Sequence, residues 1–270
     1  MSRDKARVYA ELAAFLDEAA RAARTPLSGF RVGAAALGNS GRVYLGANQE
    51  FAGLPLNFTV HAEQAAVVSA RARGETRLTA LAVSAAPCGY CRQFLTELKA
   101  PLDIVRNGEA RPLGAYLPHA FALERGGENL LSRAAVPNAD DLDGLACAAA
   151  ENSYAPYTGT RSGLALRTSS GRTYAGWLLE SGAYNPSLTA LQTVLTLRAL
   201  DGAADDAVAE AGEGMNKFAT VLGMTTEEAE NLWRTDPSTF FNNLLTSLNN
   251  VTDSVERWTI IKNLGFKNTR

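Results

Sequence analysis

The chain has 270 residues, of which 46% are hydrophobic and 20% charged, with a formal net charge of -2 and three cysteines. This is an ordinary globular composition, enough for one large domain or two small ones. It contains no block of like charges that would mark a nucleic-acid surface, no apolar run of about 18 residues to span a membrane, and too few cysteines for a disulfide framework. The first residues, Met1 to Phe15, are charged and amphipathic and lack the apolar core of a signal peptide, so a cytoplasmic location is expected.

Val8, Leu12, Phe15, Leu16 and Ala19 recur at helical spacing and predict an amphipathic helix over 4–23. A loop with Pro26 and Gly29 follows. Short strands are predicted over 31–37 and 42–46, joined by a hairpin turn at Asn39-Ser40-Gly41. The stretch 47–60 is looser and leads into an alanine-rich helix that begins near His61. Residues 78–84 read as a buried strand. Pro87 opens a second helix carrying Cys88, Cys91, Phe94, Leu95 and Leu98, and 102–105 reads as a further strand. Strands alternating with helices imply an α/β layered sheet.

The segment 153–180 repeats 23–50. Pro26 pairs with Pro156, Gly33 with Gly163, Gly41 with Gly171, Tyr44 with Tyr174, Gly46 with Gly176 and Glu50 with Glu180, all at an offset of 130. Glycine and proline constrain the backbone in specific ways, so their constant spacing implies two copies of one α/β unit. The repeat fades near residue 210. Beyond Gly212-Glu213-Gly214 the composition turns to Asn, Thr and Trp in helical patterns. Thr225-Thr226-Glu227-Glu228 resembles a helix start, and Phe240, Phe241, Leu244, Leu245 and Leu248 form an apolar face.

The chemistry is carried by His61-Ala62-Glu63 and Pro87-Cys88-Gly89-Tyr90-Cys91. A His-x-Glu followed by Pro-Cys-x-x-Cys is the signature of zinc deaminases. Three protein ligands, His61, Cys88 and Cys91, leave zinc a fourth position for water, as a catalytic site requires. A helix N-terminus favours thiolate at the cysteines. Glu63 stands two positions after the histidine, where it can serve as the proton carrier without ligating the metal. A Cys-x-x-Cys alone is as often a redox pair or half of a structural zinc site. A structural site needs a fourth ligand, and only His119 and Cys147 remain, neither in a paired spacing.

Residues 20–122 resemble the catalytic domain of cytidine deaminases of the two-domain homodimeric type. The matching stretches are ARTPLSGFRVGA (23–34), GANQEF (46–51), TVHAEQAA (59–66), PCGYCRQFLTEL (87–98) and YLPHAF (116–121). The resemblance implies a three-layer α/β fold with a mixed sheet. It would be present as a catalytic copy (1–140) and a degenerate second copy cut short (141–212), followed by a helical segment of unknown role (213–270). It implies one Zn2+ per chain, a small-molecule nucleoside substrate, no nucleic-acid or membrane partner, and a homodimer. It also implies that Asn48 and Glu50 bind the ribose 3′-hydroxyl, that Phe30 packs against the pyrimidine, and that the Ala62 amide meets the base carbonyl. Phe121 would close the pocket, and Tyr184 would reach the other subunit's site across the dimer.

The second copy lacks the chemistry. No histidine follows His119, no cysteine follows Cys147, and 181–194 stands where the metal-binding segment should be. Residues beyond 212 depart from the family and weakly resemble helical segments of phage tail tape-measure proteins. The second sheet is therefore expected to be incomplete, with an exposed edge. The reaction expected is hydrolytic deamination of cytidine and 2′-deoxycytidine. Two alternatives stand beside it: a deaminase of the same chemistry acting on a base in RNA or DNA, and a non-catalytic scaffold in which zinc is structural. A sugar clamp on a free 3′-hydroxyl argues against a polymer substrate.

Overall fold

Strand β1 (Gly33–Gly38) sets the layering, because its side chains alternate between two different cores. Ala34 and Ala36 face one core and Ala35 the other. Strand β3 (Leu78–Val83) alternates in the same way, with Leu81 and Val83 on one side and Ala80 and Ala82 on the other. The computed structural model describes residues 3–51, 56–123, 128–132, 136–211, 222–236, 239–240 and 243.

The first sheet has the order β2-β1-β3-β4-β5, with β2 at Val43–Ala47, β4 at Asp103–Arg106 and β5 at Glu109–Pro112. The β3–β4 pair is parallel and the other pairs are antiparallel, so the sheet is mixed. On one face lie α1 (Arg3–Ala13) and α2 (Leu16–Arg21); on the other lies α3 (Ala62–Ala72). This is the expected three-layer α/β arrangement. One helix was predicted over 4–23, but the chain breaks at Ala14-Phe15 into two. Tyr9 and Leu12 of α1 pack on Ala80, Ala82 and Val105, whereas α2 lies directly on Gly33. A Cβ on Gly33 would stand 2.2 Å from the Leu16 carbonyl oxygen, so only glycine admits that approach.

Strand β5 was not anticipated. Its signal is Asn107-Gly108, both with positive φ (51° and 76°), the usual chemistry of a tight hairpin.

The second copy repeats the unit. Helix α6 (Leu142–Glu151) covers one face and α7 (Ala190–Leu200) the other, of a sheet ordered β7-β6-β8. Its strands are β6 (Gly163–Thr168), β7 (Thr173–Trp177) and β8 (Val208–Ala211). Gly163 meets the α6 backbone as Gly33 meets α2, and Gly46 and Gly176 meet α3 and α7 in the same way. A register shift at Leu37/Gly38 recurs at Arg167/Thr168. Among the described residues, however, this sheet has three strands where the first has five. Among those residues no counterparts of β4 and β5 follow β8.

The copies share one core. Trp177, Leu179 and Leu188 pack in the same cluster as Val67, Leu81 and Phe94. Buried Arg71 of α3 reaches across, donating to the Leu130 carbonyl and, at 2.6 Å, to the Asn152 carbonyl. Buried Glu97 accepts from the Tyr154 hydroxyl (2.9 Å), the Tyr157 hydroxyl (2.8 Å) and the Gly182 amide (2.8 Å). Beyond 212, α8 (Thr226–Thr235) begins at the expected place. Thr225 caps it and Glu228 returns a bond to the Thr225 amide. Phe240 is buried, while Phe241, Leu244, Leu245 and Leu248 lie outside the described residues.

Candidate metal centre

The two halves of the motif sit at two helix starts. His61 is the N-cap of α3, and Cys88 is the N-cap of α4 (Gly89–Leu95). Cys88 therefore precedes the helix rather than lying within it, and its sulfur accepts from the Cys91 amide at 3.4 Å. Capping geometry thus aims all three side chains at one point. The His61 Nδ1 stands 3.4 Å from Cys88 Sγ, and the His61, Cys88 and Cys91 ligand atoms lie within 4.8 Å of one another. Tetrahedral coordination at ordinary zinc–sulfur and zinc–nitrogen lengths separates ligands by about 3.5 Å, so this donor set fits zinc. Among the described residues no other group of three or more His, Cys, Asp or Glu side chains converges in this way.

The electrostatics are those of a site built to receive a cation. The hydrogen bond from the Cys91 thiol, with His61 and the Cys91 amide behind it, holds the Cys88 thiol down to about 3. That same bond, together with burial, pushes the Cys91 thiol well up. Both thiols must lose their protons to ligate a metal, so metal binding there is coupled to proton release. The hydrogen bond to Cys88 raises the His61 imidazole. Burial raises the Glu63 carboxyl. Glu63 is only 4% exposed. It stands in the first turn of α3, beside the cluster and outside its ligand set.

Ala62 is fully buried in the first turn of α3. Asn48 is buried with its amide engaged: Oδ1 accepts from the Val32 amide at 2.9 Å and Nδ2 donates to the Phe30 carbonyl at 2.9 Å. It therefore shapes the segment that carries Phe30, a residue 63% exposed. Glu50 accepts from the amides of Leu27 (2.8 Å) and Ser28 (3.0 Å) and from the Ser28 hydroxyl (2.5 Å). Glu180 repeats this in the second copy with Tyr157 and Thr158, whereas Leu178 stands where Asn48 would be. Phe121 is half exposed, and its backbone is bound in both directions by Gln93 of α4. Tyr184 is exposed and has a positive φ of 62°.

Two contacts were invisible in the sequence. Tyr90 stacks on His61, with ring centroids 5.6 Å apart and planes at 23°, and its hydroxyl donates to the Asn185 carbonyl of the second copy. Gln64 donates to the Pro186 carbonyl at 2.9 Å. In the second copy Thr189 caps α7 as His61 caps α3, so Thr189-Ala190-Leu191 stands in the place of His61-Ala62-Glu63. The repeat thus has neither ligand nor carboxylate there.

Two family models, each described as the cytidine and deoxycytidylate deaminase zinc-binding region, match residues 8–105 and 113–212. The curated cytidine deaminase of Sodalis glossinidius (strain morsitans) is 44% identical over 209 residues, covering 69% of this chain and 68% of its own length. That of Yersinia pestis (strain Pestoides F) is 44% identical over 198 residues, covering 70% and 67% respectively. A solved cytidine deaminase from Mycobacterium tuberculosis is 40% identical, covering 43% of this chain and 98% of its own, with a TM-score of 0.39.

Proposed function

The chain belongs to the cytidine and deoxycytidylate deaminase family, and on that premise we propose that it hydrolyses cytidine and 2′-deoxycytidine to uridine and 2′-deoxyuridine with release of ammonia. The observation that carries this reading is the buried Glu63 carboxyl beside three convergent zinc ligands, His61, Cys88 and Cys91. Zinc, when bound, supplies a Lewis acid that brings the ionisation of a water near neutrality.

The protein's own residues do the rest. Glu63 accepts a proton from the attacking water and delivers it to N3 of the pyrimidine as oxygen bonds to C4. It then carries the proton of the new C4 hydroxyl to the amine, so that the C4–N bond breaks, the C4 carbonyl forms and ammonia leaves. Burial favours the protonated carboxyl, which suits a group that must both take and return a proton. Phe30 and the Ala62 amide are assigned to the base, and Asn48 and Glu50 to the sugar. Phe121 and Tyr184 are assigned to the rim of a site completed in a homodimer. That Phe30, Phe121 and Tyr184 are all exposed supports such an interface. We take 1–140 as the catalytic domain, 141–212 as its non-catalytic repeat, and 213–270 as a helical segment of separate character.

Among the described residues no helix is long and apolar enough to cross a membrane. The reading is tested by following the ultraviolet absorbance of cytidine and of single-stranded DNA with the zinc-loaded chain. Turnover of the free nucleoside is expected. Activity confined to the polymer overturns it.

A further inference from the structure

Metal-ligating histidines are ordinarily oriented by a hydrogen bond from the second ring nitrogen to a carboxylate, carbonyl or water. His61 turns Nδ1 toward Cys88 at 3.4 Å, its side chain caps the Gln64 amide, and among the described residues no carboxylate or carbonyl accepts a hydrogen bond from its ring. The plane of the ring is held by a stack on Tyr90. Tyr90 lies between the two cysteines, and its hydroxyl is fixed by the carbonyl of Asn185.

The loop that presents that carbonyl is itself firmly set. Ser181 N–H donates to the Ser187 hydroxyl at 2.9 Å, and Ser187 N–H to the Tyr184 carbonyl at 3.0 Å. Gly182 N–H is bound by Glu97, just beyond α4, and Gln64 of α3 binds the Pro186 carbonyl. The loop thus grips both ligand-bearing helices and ends on the Tyr90 hydroxyl.

We propose that Tyr90 is a positioning residue through which the degenerate second copy sets the plane of the His61 imidazole, so that the repeat acts on the metal site of its own chain. The inference rests on the reading of His61, Cys88 and Cys91 as zinc ligands. It assigns the repeat a task that fold completion alone does not require. The ring stack supplies the orientation, and the hydroxyl tether keeps the stacking ring from rotating away. Stacked aromatic pairs at this separation are individually modest, so the tether matters as much as the contact.

The test uses the full-length zinc-loaded chain and the variants Y90F, Y90L and Q192A. Zinc content, the rate of zinc release to a chromogenic chelator, the visible spectrum of the cobalt-substituted form, and kcat and KM for cytidine are measured for each. Loss of such an orienting contact typically costs about 10-fold in metal retention or turnover. Y90L is expected to release zinc about that much faster, to shift the cobalt bands, and to lower kcat more than KM. Y90F keeps the ring and loses the tether, and is expected to fall between Y90L and the parent. Gln192 bonds across the copies to the Phe58 carbonyl and not to Tyr90 or a metal ligand, so Q192A is expected to lower the melting temperature with zinc release unchanged.

Parent-like zinc release and cobalt spectrum in a folded Y90F and Y90L overturn the proposal, as does equal acceleration by Q192A. Should Y90L fail to fold, Y90F decides alone: parent-like release from it overturns the tether. A parent chain that binds no zinc refutes the site reading instead, so the two failures are distinguishable.

Discussion

Gln64 and Gln192 make the same hydrogen bond in opposite directions across the two copies. Gln64 Nε2 donates to the Pro186 carbonyl at 2.9 Å, and Gln192 Nε2 donates to the Phe58 carbonyl at 3.0 Å. Both are the third residue of their helix, and both also accept from the amide of their own N-cap. Such reciprocity is what a two-fold axis imposes on a self-complementary interface, here realised within one chain. Replacing either with alanine leaves a carbonyl and an amide without their partners. Q64A and Q192A are each expected to cost about 1–3 kcal/mol in urea unfolding. A cost near zero for both means the exchange does not hold the copies together.

Glu63→Gln is expected to keep zinc at one per chain and to lose activity by at least the 10²–10⁴-fold typical of a general acid–base, roughly. Metal analysis and the cytidine absorbance assay on the same preparation read both quantities. A fully active variant removes Glu63 from the mechanism; a variant that loses zinc makes it a ligand.

Glu50 and Glu180 brace equivalent turns, but only Glu50 lies in the copy that holds the metal centre. Glu180→Ala is expected to lower stability and leave KM for cytidine unchanged. Glu50→Ala is expected to lower stability comparably and also to raise KM. Equal KM values in the two variants confine Glu50 to the turn.

Stability is expected to fall on both sides of neutrality, for different groups. Burial of Glu50, Glu75 and Asp103 opposes their ionisation. Hydrogen bonds outweigh it, from Ser28 and Leu27 for Glu50, from Ser40, Tyr44 and nearby amides for Glu75, and from Lys5 and Tyr9 for Asp103. All three are therefore held below their ordinary values of 4.5, 4.5 and 3.8. Folding favours the charged form, so their contribution is complete above those values and fades as pH drops through the lowered ones. Tyr154 and Tyr157 are raised above 10.0 by burial and by Glu97. Their contribution is complete below pH 10.0 and fades as pH rises beyond it. Urea midpoints across pH check the sign, and Y157F is expected to flatten the alkaline limb.

Metal removal is expected to change which thiols react. Cys147 is exposed, Cys88 half-buried and Cys91 buried. In the zinc-loaded chain a disulfide reagent is expected to label Cys147 alone. After chelation Cys88, whose thiol is held down to about 3, joins it at neutral pH, with Cys91 far slower. Mass spectrometry of the labelled peptides gives the order. Rapid labelling of Cys88 in the loaded chain argues against its role as a ligand.

Much of this fold was legible because its constraints are local. Gly33, Gly46, Gly163 and Gly176 mark places where a helix backbone touches a strand, and no other residue fits. The metal-binding text was legible because capping turns a short spacing into a convergent geometry. The break at Ala14-Phe15 left no trace, since neither proline nor glycine marks it and its cause is the surface beneath. The hairpin at Asn107-Gly108 does carry a signal, two residues that tolerate positive φ. Least legible were Arg71, Gln64 and Tyr90. Each is an ordinary helix residue whose partner lies 59 or more positions away, and side-chain pattern says nothing about contacts of that range.

Duplication has left an internal control inside this molecule. Thr189 and Leu191 replace the histidine and glutamate, and Leu178 replaces Asn48, yet the glycines, the shifted strand register and the turn-bracing glutamate are all retained. What the two halves still share is what the architecture demands of any sequence that adopts it. What only the first half keeps was spared for another reason, and by that criterion Asn48 is marked out, whereas Glu50, two positions on, is held by the turn as well.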